Sequence, residues 1–190
     1  DGPVALIAAL RGETRMGDQQ APLAVTPIPA DDRAWRSRTA LPPGETVPDV
    51  TLSAVGGGDW SPRRELGSPW LLLLIDPLCP PCQRLLADRE EPFPTRLVIA
   101  SRGTMPDHDR AAVMRLGARV AMQPRRELAR ALGVVQTPAV YAIDAGGRIV
   151  AGPAIGYAAA RELLADYASP HGTPSPAVIG MHDRGGRGNG

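Results

Sequence analysis

The 190-residue chain carries 21 basic and 20 acidic side chains, a formal net charge of +1, and that balance excludes nucleic-acid binding by bulk electrostatics. Every basic residue is arginine, which excludes Schiff-base catalysis and a Walker-type phosphate lysine, both of which need an amine. Hydrophobic residues make up 43% and aromatics only 4%, so the core of one ordinary domain must be filled by Leu, Val, Ile and Ala.

Residues 1–46 show no sustained hydrophobic period. Ala21-Pro22, Thr26-Pro27-Ile28-Pro29 and Leu41-Pro42-Pro43-Gly44 oppose helix and predict a Pro-rich linker. The apolar run 4–10, followed by Arg11 in a chain that opens at Asp1, has two readings: the stub of an excised membrane anchor, or an ordinary short segment. No run reaches the roughly 18 apolar residues that span a bilayer. The tail 169–190, with Pro170, Pro174, Pro176 and a Gly-rich end, is too poor in apolar residues to predict order. The expected domain is therefore 47–168.

Within it the elements alternate. Strand is predicted over 50–55, then a Gly56-Gly57-Gly58 turn leading to a short strand or loop through Trp60. The unbroken apolar run 71–75, between Pro69 and Asp76-Pro77, predicts a strand buried on both faces. A helix follows from Cys79 with a stop at Pro92, then a strand over 96–100, a helix ending at Gly117, and a strand over 118–122. Pro124 at a first turn and Gly133 beyond the end predict a helix over 124–132. Asp144-Ala145-Gly146-Gly147 between 138–143 and 148–150 signals a hairpin, and 158–167 closes the domain as a helix. The class is α/β with a central mixed sheet flanked by helices.

The two cysteines, Cys79 and Cys82, stand where a buried strand gives way to a helix. Cys79 falls at the helix N-terminus, where unpaired N–H groups and the dipole favour a thiolate. Cys82 lies nearly one turn on, close enough to close a disulfide. Pro80 and Pro81 fit a first turn, stiffen the loop between the sulfurs and remove two backbone donors. Two small buried hydrophobes, or half a metal site, are the bland alternatives. Two prolines between the thiols make poor core, and no further Cys or suitably spaced His completes a metal site. No metal and no cofactor are expected. The second signal is Thr137-Pro138, entering an apolar strand about 55 residues after Cys82; alone it reads equally as an edge-strand proline.

Together, the Cys-x-x-Cys pair and Thr137-Pro138 resemble the thioredoxin superfamily, in which the matching proline is cis and lies against the cysteines. Pro48-Asp49-Val50-Thr51-Leu52, Trp60 and Asp76-Pro77-Leu78-Cys79-Pro80-Pro81-Cys82 look like extracytoplasmic thioredoxins of the TlpA/ResA type, closest to MauD-type proteins of methylamine utilisation. The resemblance covers about 47–168. It implies a thioredoxin-like fold with an N-terminal β extension, and thiol–disulfide exchange in the periplasm or cell envelope. Cys79 and Cys82 would be catalytic, with Thr137 and Pro138 binding substrate. The implied partners are protein thiols and disulfides, among them a disulfide-rich enzyme subunit such as that of methylamine dehydrogenase, and a membrane redox partner. There are departures. Asp76 replaces a Ser, Pro81 replaces a Val, and Thr137 stands where other residues often precede the proline. The buried acid of thioredoxin maps near Leu73, and the Glu that follows the second Cys in ResA-like proteins maps to Leu85, so both proton relays are missing. Asp76 has two readings, a water-linked proton relay for the thiols or a solvated strand-end charge.

Two other classes share the fold. A peroxiredoxin-like peroxidase needs Thr or Ser three residues before the reactive Cys, where Asp76 would repel a peroxide anion. A copper carrier of the Sco type needs one more residue between the cysteines and a distant His. His108, His171 and His182 are scattered, and the arginines of 124–130 read as a solvated helix face. Trp60 and Trp70 read as core or cleft wall, and Trp35 as a linker residue that marks a partner contact or nothing.

Overall fold

The structure, a computed structural model, describes residues 37–88, 92–104, 110 and 113–168. His108, His171, His182, Trp35, the run 4–10 and the tail lie outside them. Seven strands form one mixed sheet: β1 (Leu52–Ala54), β2 (Asp59–Trp60), β3 (Trp70–Ile75), β4 (Arg96–Ser101), β5 (Arg119–Met122), β6 (Ala139–Ile143) and β7 (Ile149–Ile155). Their order is β2-β1-β5-β4-β3-β6-β7. β4 runs parallel to both β3 and β5, and β6 runs antiparallel to β3 and β7. β1 and β2 extend the sheet beyond β5 as an antiparallel N-terminal ribbon.

β3 is the centre, and all six of its residues are buried. Side chains alternate across a strand, so Leu71, Leu73 and Ile75 join one apolar cluster while Trp70, Leu72 and Leu74 join the other. The first cluster takes Leu85 and Leu86 of helix α1 (Pro80–Ala87) and Ala160 and Leu164 of α3 (Tyr157–Asp166). The second takes Leu128 and Ala129 of the short α2 (Glu127–Ala131). Trp60 and Trp70 meet edge to face at 6.1 Å in that second cluster and are core. The mixed sheet and flanking helices are the expected ones. Among the described residues no helix is long and apolar enough to cross a membrane.

Four local expectations need correction. The helix predicted over 124–132 starts only at Glu127, because Pro124 and Arg125 form a turn closed by Arg126 N–H on the Gln123 carbonyl at 2.8 Å. The buried Gln123 side chain then supplies the start signal, accepting the Ala129 N–H at 3.0 Å. The first strand is shorter than 50–55, since Ala54 already bonds across the glycine turn to Gly58. The last strand runs well past 150, through Gly152-Pro153, because β7 is an edge strand whose register shifts opposite Tyr141 and so tolerates a proline. Finally, the end of the expected linker is held to the domain: Leu41 N–H donates to the Leu132 carbonyl, Gly44 N–H to that of Ile149, and the Glu45 carbonyl accepts the Ile149 N–H.

Candidate functional site

The C-terminal end of β3 delivers both cysteines. Cys79 caps α1 with extended backbone (φ −91°, ψ 112°), and Pro80 and Pro81 occupy the first helical positions. The first N–H groups after the prolines, those of Cys82 and Gln83, are both given to the Cys79 carbonyl, at 2.9 and 3.1 Å. The turn is further tied by Cys79 N–H to the Asp76 carbonyl at 3.0 Å and by Gln83 Nε2 to the Pro77 carbonyl at 2.8 Å. Cys79 is half-buried, and Cys82 is fully buried behind it. Burial pushes the Cys82 thiol up to about 12, and the adjacent Cys79 sulfur adds to this against the opposing pull of the Asp76 N–H and of Thr137. Cys82 is thus a protonated thiol at neutral pH. Leu78, immediately before Cys79, is 86% exposed.

The loop entering β6 closes the site from the other side. The Thr137-Pro138 bond is cis. The Cys79 Sγ–H donates to the Thr137 carbonyl at 3.5 Å, and Gly156 N–H fixes the Pro138 carbonyl at 2.8 Å. Gln136 is exposed and Thr137 half-buried. The two signals read separately from the sequence therefore meet at one sulfur.

Asp76 sits between them. Its Oδ1 accepts the Leu78 N–H at 3.0 Å, and its Oδ2 takes Arg102 Nη1 at 2.9 Å with Arg126 Nη2 at 3.8 Å. Burial works against the charged carboxylate, but the Leu78 N–H and the two guanidinium groups outweigh it and hold Asp76 below its ordinary value. An acid held ionised this way is a weak proton donor, which favours the fixed strand-end charge over the relay. Leu73 and Leu85, where the family's acids would stand, are buried in the apolar cluster. Among the described residues no group of three or more His, Cys, Asp and Glu side chains gathers as a metal site.

Arg102 and Arg126 are the site residues that sequence reasoning missed. Arg126 does not belong to a solvated helix face: its side chain is 26% exposed and turns inward. The local signal for it was the Gln123-Pro124 pair, which opens a turn and moves the helix start past Arg126.

No protein-family model matches the chain, and no curated protein matches it. Solved structures do. The thioredoxin domain of a thiol-disulfide oxidoreductase from Bacteroides vulgatus superposes with a TM-score of 0.51 at 15% identity, over 68% of this chain and 100% of that one. A putative thiol:disulfide interchange protein DsbE from Chlorobium tepidum gives 0.53 at 20% identity, over 67% and 96%. A thiol:disulfide interchange protein from a Bacteroides species gives 0.52 at 15%, over 68% and 92%. With its mixed sheet, flanking helices and N-terminal ribbon, this chain has a thioredoxin-like fold.

Proposed function

We propose that the chain is a thiol–disulfide oxidoreductase of the cell envelope, of the TlpA/ResA type with motifs similar to MauD-type proteins, acting on protein partners through Cys79 and Cys82. The observation that carries this reading is a half-buried Cys79 sulfur 3.5 Å from the Thr137 carbonyl, with the Cys82 thiol buried behind it. The neighbours named above carry the same activity class in their own descriptions. The unit doing this chemistry is 47–168, while 1–46 serves as linker or post-anchor segment, its end held to the domain through Leu41 and Gly44, and 169–190 as tail.

In the reductive direction Cys79, as thiolate, attacks one sulfur of a substrate disulfide. The substrate S–S bond breaks, and its second sulfur leaves as a thiolate that takes up a proton. Cys82 then gives its proton to solvent and attacks Cys79 Sγ. The mixed disulfide breaks and the remaining substrate thiolate is protonated. The substrate has gained two electrons and two protons, and the chain holds a Cys79–Cys82 disulfide, which a dithiol partner at the membrane reduces in turn. Run backwards, the same steps oxidise a substrate dithiol. Cys82 must stay protonated until the mixed disulfide forms, which its burial ensures. An extended substrate segment pairs with the Gln136–Thr137 backbone as a short antiparallel strand, and the exposed Leu78 offers it apolar contact beside the sulfur. Asp76 acts as a positioning carboxylate for the turn. A disulfide-rich enzyme subunit is the substrate class that the motif resemblance suggests.

The test is trapping. Cys82→Ser keeps the nucleophile and loses internal resolution, so non-reducing gels of envelope extracts should show covalent adducts. Cys79→Ser leaves only the buried thiol and should show almost none. Equal adduct formation by both variants, or none by either under oxidising conditions, overturns the assignment.

A further inference from the structure

One side chain touches both halves of the site and has no part in the exchange steps. Arg126 caps α2 with φ 58° and ψ 37°, the one non-glycine residue of positive φ among the described residues. Left-handed backbone is disfavoured for a residue with a Cβ, and it is tolerated mainly for Gly, or for Asn and Asp with local side-chain bonds. Arg126 has a different use for its side chain. Nη1 donates to the Val135 carbonyl at 3.1 Å, and Nη2 lies 3.8 Å from Asp76 Oδ2. The planar fork of a guanidinium suits two acceptors on separate elements.

Each acceptor leads to the reacting sulfur. Asp76 holds the turn through the Leu78 and Cys79 N–H groups, and its own N–H reaches the Cys82 sulfur. Val135 stands two residues before Thr137, whose carbonyl meets Cys79 Sγ. The far end of that loop is fixed by Gly156 N–H on the Pro138 carbonyl. The loop is therefore pinned at both ends, by Gly156 after the proline and by Arg126 before it. Arg102 holds the same carboxylate at 2.9 Å, so removing Arg126 leaves the cysteine turn anchored, while the near end of the loop loses its side-chain pin and keeps the Val134 N–H on the Ala129 carbonyl at 2.8 Å.

We propose that Arg126 is a positioning residue that keeps the Thr137-Pro138 loop in register with the dithiol turn, so that the substrate strand and the Cys79 sulfur are presented together. The proposal rests on the exchange reading above. It separates two substrates: an extended peptide disulfide needs the loop, whereas a small neutral disulfide such as 2,2′-dithiodipyridine needs only the sulfur.

The test compares wild type with Arg126→Gly and Arg126→Lys in the full chain. Glycine relieves the backbone conformation while removing the guanidinium, two opposing effects on stability, so Tm should stay within a few degrees. KM for a peptide disulfide should rise about tenfold with kcat little changed, and the rate with dithiodipyridine should stay within about twofold. Arg126→Lys, which restores a cation beside Asp76 and a donor for Val135, should recover part of the KM loss. Amide hydrogen exchange at 135–137 should quicken in Arg126→Gly whether or not the protein turns over. Wild type that fails to turn over the peptide disulfide overturns the exchange reading, and loop exchange still judges the pin. Unchanged KM in a turning-over Arg126→Gly variant, unchanged exchange at 135–137, or a KM rise that merely follows a collapse in Tm overturns the proposal.

Discussion

Two carboxylates, one at each end of the sheet, are built from the same parts and put to different uses. Glu65, before β3, is fully buried and receives Arg119 Nη1 at 2.7 Å, Arg96 Nη1 at 2.9 Å and the Trp60 indole N–H at 2.8 Å. Asp76, after β3, also sits between two arginines, but it is 14% exposed and the second lies at 3.8 Å. Arg96 and Arg119 open the parallel strands β4 and β5, so Glu65 clamps the ribbon of β1 and β2 to the sheet. Arg102 and Arg126 come from the loops beyond the opposite strand ends. They leave Asp76 in contact with the backbone that carries the thiols. The Glu65 carboxylate is itself fully buried and held by short bonds, which makes it an anchor. The Asp76 carboxylate is partly wet and has one long partner, beside the backbone that carries the thiols.

The contrast breaks most directly at Glu65. Glu65→Ala removes two charge-assisted bonds and leaves the buried Trp60 N–H without its acceptor. Arg96 and Arg119, 45% and 51% exposed, turn to water, which keeps the loss below that of a wholly buried pair. The expected cost is about 2–4 kcal/mol in urea unfolding, with Cys79 alkylation in the folded variant unchanged. A stable variant with altered Cys79 reactivity would reverse the roles of the two ends.

The ends also differ in how far the sequence discloses them. The strand over 71–75, the dithiol at its exit and the Thr137-Pro138 pair were legible because each depends on local chemistry: an unbroken apolar run, two thiols at fixed spacing, a proline before a strand. Glu65 was not, since Pro62-Arg63-Arg64-Glu65 has the composition of any surface turn and its partners Arg96 and Arg119 stand on strands 31 and 54 residues further on. Arg126 was hidden because it is itself the left-handed residue that starts α2, after a turn closed on the Gln123 carbonyl. Such features follow from tertiary bonds, and the arginine-for-lysine composition gives no help in choosing which of 21 guanidinium groups turns inward.

A second test sharpens the contrast at the site itself. Burial raises the Cys82 thiol from 9.0 to about 12. A group whose folded value is raised gives stability that is full below its unfolded value and is lost as pH climbs towards the folded one. In the reduced protein, stability should therefore hold up to about pH 9 and fall by about 2 kcal/mol by pH 11 through this thiol. Burial raises Tyr141 as well, so alkaline loss is not unique to Cys82. The difference between wild type and Cys82→Ala isolates the thiol, and parallel alkaline limbs for the two would show that Cys82 is not held in a dry site.

The smallest effect is expected at Asp76, and it bears most directly on the comparison. Its folded value is depressed, so its contribution is present above the unfolded carboxylate range and is lost as pH falls through the folded value. Asp76→Asn keeps an oxygen for the Leu78 N–H and loses the charge that Arg102 and Arg126 face. A partly exposed ion pair of this kind is worth under about 1 kcal/mol, so urea midpoints at pH 7 should differ by no more than that, and the difference should close below the ordinary carboxylate range. Function should respond more than stability, because the same carboxylate orders the turn beneath Cys79 and faces the Arg126 guanidinium. KM for a peptide disulfide should rise severalfold with Tm nearly unchanged. If Asp76→Asn instead loses as much stability as Glu65→Ala and keeps its KM, both carboxylates are anchors, and the looser geometry at the dithiol end has no functional meaning.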